Sequence, residues 1–397
     1  MDTPKLWAST HRLKLFPKEC NSALHVRTYV KIQTFVEHFN EPLYLESGRI
    51  LESYDLKYET YGELNEKKDN TVVVFHALTG SHHAAGRYEN DTKVGWWDPL
   101  IGDGRVVDTT KYFAICVNVL GSCFGSTGPM SVTKGKEPLR LKFPVITISD
   151  MVRAQMNLFK RLGIEQAHAI IGGSMGGMQA LCMAVEYPQF TKRAILLAST
   201  YATGPWAIAF NRLAMEGILH DQRFHNGNYD PKDFEEEGLL SFAIGRMAGH
   251  ISFLSPYSMN KKFGRNYVET DGLYELFGRF QIEKYLEYNG HSFAKRFDPL
   301  SYLYIIKAMN IFDATRNYDS LEDSLKHIKA KLPLISFKED NLFLPEEMEF
   351  IQTTLENMGR GDRADYFCID SHYGHDAFLV EYDKFDFYVK KALEAKV

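Results

Sequence analysis

Residues 167–179, AHAIIGGSMGGMQ, constrain the fold more than any other stretch of the chain. An apolar run ends at Ile171, and a helical pattern starts just after Ser174. The pattern G-x-S-x-G, Gly172-Gly173-Ser174-Met175-Gly176, therefore joins a strand to a helix through the tightest of turns. Glycines two places before and after the serine let the backbone turn sharply. The hydroxyl is then presented at the carboxyl edge of a sheet, over a helix N-terminus that favours developing negative charge. Taken alone, the pattern is also an ordinary glycine turn. The strand before it and the helix after it make Ser174 a candidate nucleophile.

The surrounding chain supplies such a sheet. Short runs rich in β-branched or apolar residues occur at 71–75 (TVVVF), 112–117 (YFAICV), 167–171 and 194–198. Runs of this kind suit strands covered on both faces. Between the second and third, residues 148–162 space their apolar side chains as an amphipathic helix does, and residues 175–186 continue helically after the serine. Alternation of strands and helices implies an α/β fold with a mostly parallel sheet clothed by helices. Upstream, residues 26–36 and 50–60 alternate polar and apolar side chains and predict two half-buried strands.

After residue 200 the alternation stops. Helical patterns at 206–219, 238–248, 281–288 and 301–312 follow without a clear buried strand. About 130 residues is too long for a loop, so residues 200–328 are predicted to form an inserted helical subdomain. The sheet pattern resumes at 332–336, with a helix after Pro345, a strand at 366–369 and a last helix to about residue 393. The division is then an extension at 1–25 of unassigned role, a catalytic domain from 26–199 and 329–397, and a helical cap at 200–328.

Composition excludes several classes. The 397 residues carry a formal net charge of −5 and no Lys/Arg run, which argues against nucleic acid as a partner. Hydrophobic residues at 45% with 27 Phe and 22 Tyr allow a large core. No stretch approaches the ~20 apolar residues of a membrane span. The five cysteines, Cys20, Cys116, Cys123, Cys182 and Cys368, form no C-x-x-C pair and fit a reducing cytosol rather than a disulfide framework or zinc site. A soluble cytoplasmic protein is expected.

A nucleophilic serine needs a base, and the base a carboxylate to orient it. Beyond the strand at 332–336, the loop residues Glu339 and Asp340 offer two acids; beyond 366–369, His372 and His375 offer two bases. Spacing leaves both choices open. Backbone N–H groups of Met175, directly after the serine, and Leu78, in the loop after residues 71–75, are the expected oxyanion donors, with Thr79 the alternative to Leu78. His82 and His83 have no third ligand at metal-site spacing, so no metal is expected. Trp96, Trp97, Tyr302 and Tyr304 are read as packing residues. Cys123 sits in a glycine-rich loop with nothing nearby to lower its pKa.

At this level the chain resembles the homoserine O-acyltransferases of the α/β-hydrolase fold. The matching segments are YETYGELN (58–65), HALTGSHHAAG (76–86), GWWDPLIG (95–102), GSCFGSTGPMS (121–131), GGSMGGMQAL (172–181), RMAGHISFLS (246–255), KFGR (262–265), DNLFLP (340–345) and GHDAFL (374–379). They run in order from about residue 38 to the C-terminus. The resemblance implies an α/β-hydrolase fold with the cap as a lid, and a triad of Ser174, Asp340 and His375. It implies ping-pong transfer of an acetyl group from acetyl-CoA to L-homoserine in methionine biosynthesis, with no cofactor beyond that co-substrate. Family members are commonly homodimers through the cap.

The same resemblance gives Asp376 as the partner of the homoserine ammonium, against a plain reading as a helix N-terminal acid. In AFNRLAMEGI (209–218), Met215 stands where the family usually carries arginine, so Arg212 is the expected replacement for the carboxylate, against a reading as a solvated surface residue. Members using succinyl-CoA tend to place arginine two positions after the triad acid; Leu342 stands there and favours acetyl. The alternatives are a succinyltransferase or other-acceptor transferase on the same fold, and a serine esterase or thioesterase.

Overall fold

The computed structural model describes residues 30–89, 91–132, 137–234, 236–269 and 274–396. The extension at 1–25 lies outside these residues. Eight strands form one sheet: β1 Ile32–Phe39, β2 Tyr54–Tyr61, β3 Thr71–Phe75, β4 Phe113–Val117, β5 Ala169–Gly173, β6 Ala194–Leu197, β7 Leu332–Phe337 and β8 Ala364–Ile369. Their spatial order is β1-β2-β4-β3-β5-β6-β7-β8. The β1–β2 and β2–β4 pairs are antiparallel, and every other pair is parallel.

Every residue of β3, β4, β5, β6 and β7 is buried, which is why these strands read as unbroken apolar runs. Successive side chains still point to opposite faces. Val73, Phe75, Ile115 and Ile170 enter one core layer, while Val72, Val74, Ala114 and Ile171 enter the other. The first layer is closed by helices α1 Ile148–Arg161 and α2 Met175–Glu186. Phe385, Val389 and Leu393, on the C-terminal helix of residues Tyr382–Glu394, close the second. Helix α1 starts where Thr147 and Asp150 exchange side-chain and backbone hydrogen bonds, a capping box at 3.0–3.1 Å.

From β6 to β7 the described chain is built of helices and turns: α3 Pro205–His220, α4 Leu240–Phe253, α5 Pro256–Phe263, α6 Gln281–Ala294, α7 Pro299–Asn310 and α8 Leu321–Leu325. The chain leaves and returns through a two-stranded neck, with Thr203 N–H donating to Phe312 O (3.0 Å) and Ala314 N–H to Tyr201 O (2.8 Å). Helices α3 and α4 cross closely because Gly245 has no side chain. A Cβ there would lie 2.6 Å from the Ala214 Cα.

Three expectations shift. The strand expected at 26–36 is found at Ile32–Phe39, its first residues lying partly outside the described chain. The stretch 50–60 divides into Ile50–Leu51, paired with Leu43–Tyr44, and β2 proper. Helix α5 went unseen because its eight residues bury one side chain, Phe263, too few to make a period.

Candidate active site

Strand order decides what meets at the sheet edge. Strands β3 and β5 are hydrogen-bonded neighbours, with Phe75 opposite Gly172, so the loop after β3 abuts the turn after β5. Strands β7 and β8 end on the same edge, two and three places along. This is where the sequence placed its acid and its histidines.

Ser174 holds φ +57° and ψ −125°, a left-handed conformation that costs a side-chain-bearing residue of order 1–3 kcal/mol. The neighbouring glycines leave no alternative path. A Cβ at Gly172 would lie 2.4 Å from the Gly176 carbonyl, and one at Gly176 would lie 2.3 Å from Phe75 O. The turn is locked by Ser174 N–H donating to Leu197 O (2.9 Å) and Ser199 Oγ–H donating to Ser174 O (2.9 Å).

His375 Nε2 lies 2.9 Å from Ser174 Oγ, and His375 Nδ1 lies 2.8 Å from Asp340 Oδ2. The other Asp340 oxygen accepts from the N–H groups of Leu342 (2.9 Å) and Phe343 (3.1 Å), which fixes the carboxylate. All three side chains are buried. Burial pushes the His375 imidazolium down, but the charge and hydrogen bond of Asp340, aided by Asp376, outweigh it and hold the group above 6.5. Since Asp340 accepts at Nδ1, that nitrogen carries the proton and Nε2 faces the serine as a base. Glu339 and His372 pair instead with each other at 3.3 Å, at the partly exposed periphery.

No backbone hydrogen bond is donated by the N–H groups of Leu78 and Met175 among the described residues. Leu78 lines the same cleft as Ser174, as does Thr79. His76 braces this loop. Its Nε2 accepts from Val119 N–H (3.1 Å), so its Nδ1 donates to Ala77 O (2.8 Å), and burial depresses it to about 4, keeping it neutral.

The cleft over Ser174 is roofed by α3 and α4. Asp376 lines it beside His375; burial raises its carboxyl pKa, opposed by the charges of His375 and Arg246. Asp376 also precedes the short helix Ala377–Val380 but makes no side-chain cap bond there. Leu342 adds an apolar wall.

Arg212 is not brought to the cleft, which corrects the expectation for that residue. Ala207, Phe210 and Asn211 form the inward face of α3, and one further residue turns the side chain about 100° away. Arg212 is 62% exposed and pairs with Glu216 one turn on. The cation that does face the cleft is Arg246 of α4, which sequence reasoning missed although a matching segment begins there.

Of the four residues read as packing, Trp96, Trp97 and Tyr304 behave as such. Trp97 is fully buried and donates to Phe378 O (3.0 Å), and Trp96 donates to Ser81 O (2.9 Å). Tyr304 donates to Phe143 O (2.6 Å), whereas Tyr302 lies at the wall of the cleft. His83 contacts the buried Glu59 carboxylate at 3.0 Å, and His82 lies 3.7 Å from it. No group of three metal-ligating side chains occurs among the described residues. Burial pushes the Cys123 thiol up to about 12, which leaves it unreactive.

The profile of the α/β hydrolase fold matches residues 70–382. A homoserine O-acetyltransferase of Sulfurimonas autotrophica is 60% identical over 365 residues, covering 92% of this chain and 99% of its own length. The chain belongs to the homoserine O-acetyltransferase family of α/β hydrolases. Among solved structures, homoserine O-acetyltransferase from Bacillus anthracis superposes with a TM-score of 0.84 at 28% identity, covering 93% of this chain and 98% of its own. Esterase E22 superposes almost as well, at 0.83 and 28% identity, covering 92% and 100%. Membership therefore rests on the sequence relatives, since the fold is shared with a hydrolase. Among the described residues no helix is long and apolar enough to cross a membrane.

Proposed function

We propose that this chain transfers an acetyl group from acetyl-CoA to the side-chain hydroxyl of L-homoserine, a step of methionine biosynthesis, through an acyl-serine on Ser174. The observation that carries the reading is the unbroken relay from Asp340 through His375 to Ser174 at the floor of a lidded cleft. His375 Nε2 takes the Ser174 proton as Oγ attacks the thioester carbonyl. The oxyanion is held by the Leu78 and Met175 N–H groups. The C–S bond breaks and CoA leaves as the thiol, carrying the proton from His375. Homoserine then enters and gives its hydroxyl proton to His375. Its oxygen attacks the acyl carbon, and the proton returns to Ser174 as the ester bond to the enzyme breaks.

Asp376 supplies the anion for the homoserine ammonium, beside the base that must reach the hydroxyl three carbons away. Leu342 offers an apolar wall where a succinyl group would need a cation, which supports acetyl as the group transferred. The insertion at 200–328 serves as a lid that limits water at the acyl-serine. Its outer face exposes Trp206, Leu213, Ile244 and Ile251, apolar surface that a homodimer through the lid would bury. The reading places the enzyme in the cytoplasm.

The test is CoA release from acetyl- and succinyl-CoA, each with homoserine or serine. Acetyl-CoA with homoserine should be fastest. If homoserine accelerates release with neither donor, the transferase reading fails. The structural likeness to esterase E22 is what favours the second reading, a hydrolase, in which water alone would discharge the acyl-serine at full rate.

A further inference from the structure

We propose that the basic turn at the end of α5, with Lys261, Lys262 and Arg265, holds the phosphates of the acyl donor, and that the exposed ring of Tyr257 beside it takes the adenine. The assignment rests on the acetyl-transfer reading above. That reading requires a polyanionic donor to settle on a chain of net charge −5.

The argument begins with KKFGR at 261–265, three cations in five residues that the chemistry at Ser174 leaves unused. Helix α5 ends here because Gly264 takes φ +54°, and its N–H closes the last turn on Asn260 O (2.9 Å). Lysines in a last turn also offset the helix dipole, which accounts for Lys261 and Lys262 without any ligand. It does not account for Arg265, which lies past the helix end.

All three side chains are exposed, and among the described residues none has a carboxylate within ion-pair distance. Arg279, next to the ring that Arg265 covers, does pair, with Glu287 at 2.7 Å. The three cations rest on rings instead. Lys261 Nζ lies 5.9 Å from the Tyr257 centroid, Lys262 Nζ 4.4 Å from that of Tyr285, and Arg265 Cζ 5.5 Å from that of Phe280. A ring steadies a cation without using its N–H donors, which stay available to phosphate oxygens. Tyr257 is 50% exposed, so part of its ring is open to a base. Cations interleaved with open rings suit a phosphorylated nucleoside better than a simple anion.

The patch also stands at the right place. Helix α5 follows α4 directly, three residues beyond Phe253, which lines the cleft. Its N-cap residue Ser255 donates its N–H to Tyr373 O (2.8 Å) and its hydroxyl to His372 O, and the rings of Tyr257 and His372 lie 4.6 Å apart. The start of α5 is thereby tied to the loop that carries His375. The eight residues of α5 then span about 12 Å, which separates the basic turn from that loop by one helix length. Lys262 stays in electrical contact with the interior: after burial and Arg246, its charge helps depress His250 to about 3. An acyl-CoA carries its thioester and its phosphates at opposite ends of a flexible arm. With the thioester at Ser174, the phosphates must lie outside the cleft, and the α5 turn offers them cations there.

The experiment uses full-length enzyme and two donors, acetyl-CoA and S-acetylpantetheine, which has the same thioester and arm but no nucleotide. The quantity read is the ratio of kcat/KM for the first donor to that for the second, with homoserine as acceptor. Wild type should favour acetyl-CoA strongly. Lys262→Gln and Arg265→Gln should each lower the ratio about tenfold, through the acetyl-CoA KM, and Lys262→Arg should keep most of it. Adenosine 3′,5′-bisphosphate should compete with acetyl-CoA in wild type and do so more weakly in both glutamine variants. Ratios unchanged in both glutamine variants overturn the site, as does an equal loss with both donors, the mark of a merely structural role. A wild type that accepts homoserine but uses the two donors equally overturns the site and leaves the acetyl-transfer reading standing. A wild type indifferent to homoserine overturns that reading itself.

Discussion

Asp340 and Glu339 are adjacent in sequence and identical in charge, yet they have separate environments. Asp340 is 2% exposed and bound by two backbone N–H groups and His375, while Glu339 meets His372 at the periphery. Asp340→Asn should therefore lower kcat on the order of 10³–10⁴-fold, since the amide no longer fixes the imidazole tautomer. Glu339→Gln should leave kcat within about twofold, as expected of an exposed pair. Kinetics on the two variants separate these outcomes. Protonated His375 is inactive as a base, and its raised pKa places the acid limb of acylation above pH 6.5. Because Asp376 contributes to that rise, Asp376→Asn should move the limb to lower pH while raising the homoserine KM. A limb that stays fixed would remove Asp376 from the vicinity of the base. Neither distinction was legible in spacing alone, because both depend on which side of a loop each side chain takes.

Elements differ in how much of their role is written locally. The turn at Ser174 was legible because strand, glycines, serine and helix are contiguous, so five residues state the whole geometry. Gly176→Ala should destabilise the fold by about 1–3 kcal/mol, because the added carbon meets Phe75 O and the backbone must move. Thermal unfolding measures this, and an unshifted Tm would show that the turn can relax. Helix α3 illustrates the opposite case. Its sequence offers Arg212 for the substrate carboxylate or as a solvated residue, and only the packing of α3 on α4 and α7 decides that the preceding Asn211 faces inward, where it donates to Asn310 Oδ1 (2.7 Å). Arg212→Ala should change stability by no more than about 0.5 kcal/mol and leave the homoserine KM unaltered. Arg246 escaped notice for the same reason, since membership of the cleft is a property of two crossing helices.

At the scale of the molecule, the alternating strands, the helical stretch at 200–328 and the order of serine, acid and histidine were all present in the sequence. The strand order was not, because neighbouring strands such as β3 and β5 are separated by 94 residues in the numbering of Phe75 and Ala169 and by a strand that pairs on the other side. That order brings the loop after β3 to the turn at Ser174. The helices between β6 and β7 add surface that the rest of the molecule leaves exposed, including Leu213 and Ile244 on adjacent helices. Wild type should elute at the mass of a dimer in light-scattering chromatography, and Leu213→Glu with Ile244→Glu should elute as a monomer. A monomeric wild type would assign that surface some other role.

The account as a whole turns on the fate of the acyl group. Acetyl-enzyme formed on Ser174 and freed of excess acetyl-CoA can be mixed with buffer alone or with homoserine, and the products separated. The account predicts slow loss in buffer, rapid loss with homoserine, and O-acetylhomoserine as the main product. Equal rates in the two solutions, with acetate as the product of both, would contradict it.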